Sequence, residues 1–126
     1  MARLLWICLG GAVGTGARYL LSLGIFRLTG PGFPWGTLAV NVIGSFLLAL
    51  LMHLAMTTEL FSDTLRLALT TGVMGGFTTY STFNQETLGF LREEAWGIGF
   101  AYLAITIAAC LLAGLLGLFG GRLLTS

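Results

Sequence analysis

Four long apolar stretches, separated by short polar or proline-containing segments, make up nearly all of this 126-residue chain. They cover approximately residues 4–26, 35–56, 65–91 and 95–118. A helix that crosses the hydrocarbon core of a bilayer needs about 20 mainly apolar residues. Charged residues make up 9% of the chain, whereas soluble domains average about 25%. The sequence therefore predicts one all-α integral membrane domain, residues 1–126, with four spans.

Composition and length exclude several classes of function. Beside four spans, the chain has no room for a separate catalytic or nucleotide-binding domain. All six cationic residues are arginine and the net charge is +1, without a basic cluster that would bind nucleic acid. The loop carboxylates have no histidine or cysteine partners at ligand spacing, and Cys8 and Cys110 are expected to be small buried apolar residues. We predict that the chain is not an enzyme and has no nucleic-acid partner.

The first apolar stretch is longer than the 7–15-residue core of a signal peptide, so we expect it to remain as a span. The arginines then fall three on one side of the membrane (Arg3, Arg66, Arg122) and two on the other (Arg27, Arg92). Arginine and lysine bias in short loops sets the orientation of a membrane protein, and a bias of one is very small. Two interpretations are open: insertion both ways up, which permits an antiparallel homodimer, or one topology set by the first span.

The third apolar stretch contains an unusual polar interruption. The glycine pair 75–76 is followed closely by five consecutive hydroxyl residues, 78–82. Non-helical backbone at membrane depth is tolerated where it is buried in protein or lines a cavity, and its free carbonyl groups can coordinate a cation such as sodium. Tyr80 and Phe83 are three residues apart and share a face just beyond the interruption. We predict a helix broken mid-membrane; the alternative is a continuous kinked helix with packing aromatics.

The second stretch carries polar residues at four-residue spacing: Thr37, Asn41 and Ser45. Residues four apart lie on one face of a helix. Such a face can join transmembrane helices through hydrogen bonds, or it can line a pore in which amide and hydroxyl donors replace the water around an anion. Both interpretations are open.

Two ionisable residues lie inside the predicted spans. Arg18 in the first span can extend its guanidinium to the lipid headgroups, or it can attract anions to a vestibule or anchor a dimer. Glu86 in the third span needs hydroxyl or arginine partners, or a proton. It can serve as a proton-coupling group or as a structural acceptor for neighbouring hydroxyls.

Three motifs together resemble one known family. GGAVGTGARY at 10–19, GTLAVNVIGSF at 36–46 and TTGVMGGFTTYSTFNQE at 70–86 are similar to the Fluc (CrcB) fluoride channels, and the resemblance covers the whole chain. It implies an antiparallel dual-topology homodimer with two pores, embedded in the lipid bilayer of a bacterial inner or plasma membrane. Its function would be passive export of fluoride, which lowers the cytoplasmic concentration of this ion.

The resemblance also assigns residues. The pore asparagine of the family matches Asn41, and its paired phenylalanines match Tyr80 and Phe83. A structural sodium ion at the dimer centre would be held by backbone carbonyls that match Gly75 and Thr78. Arg18 and Glu86 match family positions as vestibule or structural charges. With the hydroxyl donors around the break, the predicted fluoride pathway consists of Asn41, Tyr80, Phe83, Thr37, Thr79, Ser81 and Thr82.

The chain departs from the family pattern at three places. Tyr80 stands where phenylalanine is typical, and Asn84 stands where serine is usual. The fourth span lacks the expected serine or threonine track, with Cys110 and Gly114 at those positions. These changes are expected to alter conduction or ion preference without removing the channel function.

Two rival functions fit the size of the chain. Small multidrug-resistance exporters have the same span count and dual topology, but they depend on a carboxylate buried in the first span. Here the only charge in that span is Arg18, and Glu86 lies in the third span. The other rival is a structural subunit of a larger membrane assembly, which would carry no flux by itself.

Overall fold

The computed structural model describes all 126 residues, and every regular element is helical. Short connections at residues 30–34, 58–62 and 93–95 join four membrane-length segments. In chain order the elements are α1 (Ala2–Thr29), α2 (Trp35–Thr57), α3 (Asp63–Leu67), a π-helical turn (Ala68–Met74), α4 (Gly75–Phe77), α5 (Tyr80–Arg92) and α6 (Trp96–Leu124).

The third segment is divided into two halves. Residues 63–77 are continuously helical, α5 forms the second half, and Thr78 and Thr79 between them are extended. The other three segments, α1, α2 and α6, are each long and apolar enough to cross a membrane unaided. The all-helical class and the broken third helix are as predicted.

The helix ends differ from the sequence estimates by a few residues. Helix α1 continues to Thr29, and α6 continues to Leu124 through the glycine pair 120–121. Gly121 packs against the imidazole ring of His53, and an added Cβ would lie 2.7 Å from that ring. Gly121 therefore allows close packing of α6 on α2, and the glycine pair does not end the helix.

Helix α1 and the first half of the third segment run in the same direction with their backbones in contact. A Cβ added at Gly10 would lie 2.5 Å from the carbonyl oxygen of Ala68. One added at Gly76 would lie 2.5 Å from the carbonyl oxygen of Gly11. Gly14 and Gly72 complete this contact, which we call the glycine seam. Small residues at four-residue spacing permit such close approach between transmembrane helices.

Helices α2 and α6 form a second parallel pair. Gly117 contacts the backbone of Phe46, and Gly121 contacts His53 one turn further on. At the end of this pair, Nε2 of His53 lies 3.1 Å from the hydroxyl oxygen of Thr125. The α2–α6 pair thus extends to the C-terminus of the chain.

Most of the apolar surface of the protomer faces outward. Only 19 of 126 residues are buried, and the fully covered large side chains are Val40 and Tyr102. Exposed leucines, isoleucines and phenylalanines cover the outer faces of α1 and α6. Cys8 is exposed as well, so the expectation that it is buried was wrong; Cys110 is half-buried, and neither forms a disulfide. Large exposed apolar surfaces belong to lipid-facing or protein-facing sides.

Candidate ion-binding site at the helix break

The side chain of Asn41 is paired with the backbone of Thr79 at the break. The Thr79 N–H donates to Oδ1 of Asn41 at 2.8 Å, and Nδ2 of Asn41 donates to the Thr79 carbonyl oxygen at 3.0 Å. Both residues are buried. A carboxamide has two N–H donors, so one N–H of Asn41 remains available for another acceptor.

This pairing changes the hydrogen bonding of the preceding residues. In a continuous helix, the Thr79 N–H would donate to the carbonyl of Gly75, four residues earlier. The last such bond runs from the Thr78 N–H to the Met74 carbonyl oxygen at 3.0 Å, and the Thr78 hydroxyl donates to the same oxygen at 2.9 Å. No backbone N–H beyond the break donates to the Gly75 carbonyl. Free carbonyl oxygens therefore end the first half of the third segment.

On the other side of the break, α5 begins with free backbone N–H groups. The Thr79 hydroxyl caps the helix, accepting from the Thr82 N–H at 3.2 Å and donating to the Thr82 hydroxyl at 2.9 Å. The N–H groups of Tyr80 and Ser81 have no acceptor within the helix. The N-terminus of a helix carries a partial positive charge that favours anions. Here that end lies beside Asn41, with Thr79 buried and the first residues of α5 exposed on the protomer.

A cavity of about 300 Å³ opens at this point, between α2, α5 and α6. Asn41, Thr79 and Phe83 line one side, and Thr106 and Cys110 of α6 line the other. The hydroxyl oxygen of Thr106 is buried and has no hydrogen-bond partner. Buried polar atoms in proteins nearly always have a partner, so this hydroxyl is suited to a ligand or water in the cavity.

The two aromatic residues beyond the break lie in different environments. Their rings meet edge to face with centroids 5.8 Å apart. Phe83 is 5% exposed and packs edge to face on Tyr102 at 5.1 Å, whereas Tyr80 is 77% exposed. Phe83 therefore belongs to the core of the protomer, and Tyr80 projects from its surface.

Glu86 accepts hydrogen bonds at both carboxylate oxygens. Thr37 Oγ1 donates to Oε1 at 2.8 Å, and the hydroxyl of Tyr102 donates to Oε2 at 2.7 Å. The carboxylate also borders a second cavity, of about 270 Å³, near the first loop. Arg18 is partly exposed and forms no ion pair with Glu86. The geometry supports Glu86 as an acceptor that fixes two hydroxyls.

The sequence profile of the family described as CrcB-like protein, Camphor Resistance (CrcB), matches residues 5–118. This chain belongs to the CrcB family. A protein named "Fluoride-specific ion channel FluC" from Sorangium cellulosum (strain So ce56) is 58% identical over 122 residues, which cover 97% of this chain and 96% of that one. The multi-pass membrane protein predicted from the resemblance is confirmed.

Two further relatives have the same name. The one from Anaeromyxobacter sp. (strain K) is 55% identical over 113 residues, 90% of each chain. The one from Geobacter sulfurreducens is 47% identical over 122 residues, 97% of this chain and 98% of that one. These names describe channels and not enzymes, in agreement with the sequence-based prediction.

The structure brings only part of the site predicted for this CrcB-family chain to one place. Asn41, Thr79, Tyr80 and Phe83 share the first cavity, together with Thr78. The remaining predicted residues lie elsewhere: Thr37 donates to Glu86 beside the second cavity, Ser81 and Thr82 are exposed, Gly75 is exposed at the end of the first half-helix, and Arg18 lies apart on α1.

Sequence reasoning missed two polar residues of α6. It found no hydroxyl track in the fourth span, yet Tyr102 binds Glu86 and Thr106 lines the first cavity. A signal was present, because Tyr102, Thr106 and Cys110 have the same four-residue spacing that identified the polar face of α2.

Proposed function

We propose that this chain forms a fluoride-specific channel that lets fluoride leave the cytoplasm passively and so lowers its concentration there. Relatives 47–58% identical over nearly the full chain are named for this activity. The observation that carries the proposal is the cavity at the break, where the N-terminus of α5, the Asn41 carboxamide and the Thr106 hydroxyl converge.

The donors around this cavity suit a small, strongly hydrated anion. Conduction requires sites that replace the hydration shell and yet release the ion. The second N–H of Asn41, the first N–H groups of α5 and the Thr106 hydroxyl are neutral donors, and the ring edge of Phe83 adds a weak positive contact. The chain has no lysine, whose full charge would hold the anion too tightly. Neutral donors therefore favour conduction of the anion over tight binding.

The conducting unit in this proposal is an antiparallel dual-topology homodimer. Tyr80 lines the cavity yet is 77% exposed, so a single protomer leaves one side of the path open. The arginines divide three to two between the membrane faces, which permits insertion in both orientations. A second copy would cover the exposed side of the break and duplicate the path.

A structural sodium ion at the dimer centre fits the free oxygens at the break. Unwound carbonyls at the C-terminal ends of half-helices coordinate sodium in other membrane proteins. Gly75 and Thr78 would supply such carbonyls, and a symmetric second copy would supply the same pair. No group of three or more histidine, cysteine or carboxylate residues is available for a different metal. When bound, sodium would supply fixed positive charge next to the anion path.

The exporter alternative finds less support. Helix α1 has no carboxylate, and both oxygens of Glu86 are engaged by hydroxyl donors. A carboxylate held in this way can orient Thr37 and Tyr102 beside the path without exchanging a proton in each cycle.

A flux assay in liposomes tests the proposal. Purified protein in vesicles loaded with potassium fluoride should release fluoride to a fluoride electrode without a proton gradient, and chloride-loaded vesicles should release far less. Asn41→Asp places a negative charge in the anion path and should abolish the release. Proton-driven export of an organic cation would establish the exporter instead, and an absence of flux in every condition would leave a structural subunit.

A further inference from the structure

We propose that Asn41 keeps the third helix broken and thereby maintains the cation site, in addition to its place in the anion path. The inference rests on the sodium ion of the proposed function. It assigns to one side chain of α2 the control of two sites on opposite sides of the break, and so makes Asn41 a positioning residue for the cation.

The geometry of the Asn41 pair carries this inference. The Asn41 side chain forms hydrogen bonds with both backbone groups of Thr79, at 2.8 Å to the N–H and 3.0 Å to the carbonyl oxygen. It therefore occupies the N–H that a continuous helix would direct to the Gly75 carbonyl. The Gly75 oxygen is free because Asn41 has taken its donor.

The backbone of the break does not keep itself open, and the Thr79 hydroxyl that caps α5 leaves the Thr79 N–H without an acceptor. Nothing in the conformation of Thr78 and Thr79 requires a non-helical residue, because neither is proline and neither has positive φ. Unpaired backbone groups are costly inside a membrane. Without the carboxamide, the Thr79 N–H would find its nearest acceptor at Gly75, the helix would extend across the break, and the cation would lose a ligand.

Packing limits the movement of α2 relative to the break. A Cβ added to Gly44 would overlap the methyl group of Thr78 and lie 3.3 Å from Phe77. This close contact holds α2 against the end of the first half-helix, three residues from Asn41. The Asn41 carboxamide is therefore held at a fixed position along α2 relative to the Gly75 carbonyl.

The inference distinguishes substitutions by the bonds they retain. Asn41→Ala removes both partners of Thr79. Asn41→Asp loses the donor to the Thr79 carbonyl oxygen but keeps an acceptor for the Thr79 N–H, which is the bond that the inference requires, and its charge blocks the anion path. Thr106→Val removes a hydroxyl from the same cavity without touching the Thr79 backbone. Ser45→Ala is the matched control on α2, since its hydroxyl donates only to the Asn41 carbonyl.

The test measures the dependence of thermal unfolding on sodium in purified, detergent-solubilised full-length protein. Each variant is equilibrated for a long period with sodium chloride or with N-methylglucamine chloride, and fluoride flux is measured on the same preparations. A bound ion stabilises the folded state by mass action. We expect wild type, Ser45→Ala and Thr106→Val to unfold at a higher temperature in sodium, and Asn41→Ala to lose most of that shift.

Asn41→Asp should keep the sodium shift while losing flux. An unchanged shift in Asn41→Ala would overturn the inference while leaving the sodium site intact. No shift in the wild type would reject the sodium site and the inference with it, whereas the flux measured in parallel would still decide the channel. If Asn41→Ala does not fold, Asn41→Asp decides, because loss of its sodium shift contradicts the role of the Thr79 acceptor.

Discussion

The two halves of the third segment are held in place by different kinds of contact. Residues 63–77 lie on α1 along the glycine seam, where peptide backbones touch, and Met74 and Phe77 pack on Val40 of α2. Helix α5 is held by polar side chains, through Asn41 at its beginning and Glu86 two turns later. The first half is therefore held by close packing, whereas the second half depends on hydrogen bonds from side chains. Substitutions that add volume should damage one, and substitutions that remove donors should damage the other.

The largest effect is expected at the glycine seam. Gly14→Val would place a branched side chain against the Val73 carbonyl, with its Cβ 2.9 Å from the Phe77 nitrogen. Backbone on both sides cannot yield, so the cost should exceed the roughly 1–3 kcal/mol typical of overpacked cores. Size-exclusion chromatography should show loss of folded protein. Gly16→Val, with open space around it, is the control, and equal yields of the two variants would refute the seam.

The next largest effect should fall on flux with less effect on the fold. Phe83→Ile removes a buried ring edge beside the cavity and should slow fluoride release by about tenfold or more, since that corresponds to only about 1.4 kcal/mol. The control is Leu38→Ile in the same apolar cluster, which should keep wild-type flux. If Phe83→Ile conducts fluoride in liposomes at the wild-type rate, the Phe83 ring is not part of the pathway.

A smaller effect is expected at Glu86. Tyr102→Phe and Thr37→Val each remove one of its two hydroxyl donors. Hydrogen bonds between transmembrane helices average about 0.6 kcal/mol, so the unfolding temperature of each variant should fall slightly. Fluoride flux should be several-fold slower than in the wild type. Tyr19→Phe, whose hydroxyl has no partner, should change neither thermal unfolding nor flux. If Tyr102→Phe and Thr37→Val both conduct as fast as Tyr19→Phe, the hydrogen bonds to Glu86 have no role in conduction.

The smallest effect is expected for Tyr80→Phe. The side chain is 77% exposed, and no hydrogen bond within the protomer depends on its hydroxyl, so stability should change by less than about 0.5 kcal/mol. Flux should stay within about twofold of wild type. A large acceleration in the electrode assay would instead identify the hydroxyl as a brake on the ion.

The sequence predicted the elements better than the pairing between them. Apolar length predicted the four segments, and the glycine and hydroxyl run predicted the break. The partner of the break could not be deduced, because Asn41 and Thr79 are 38 positions apart and local spacing does not encode such contacts. The same reason hid the bond from Tyr102 to Glu86, because Glu86 stood out as an ionisable group in a span while Tyr102 was missed.

Other features gave no sequence signal. The π-helical turn at Ala68–Met74 packs closely on α1, and its composition resembles that of an ordinary helix. Thr37 was predicted either to join helices or to line an anion path, and within the protomer its hydroxyl donates to Glu86. A periodic pattern identifies the face on which a residue lies, whereas the choice between two acceptors on that face depends on the neighbouring helix.

The interruption at Thr78 and Thr79 creates an electrostatic field that does not depend on pH. The polarity on its two sides arises from peptide groups, carbonyls on one and N–H groups on the other. Peptide groups neither gain nor lose protons under conditions in which proteins stay folded. The field of these peptide groups, which would separate the proposed cation from the proposed anion path, should therefore be the same in acidic and alkaline media.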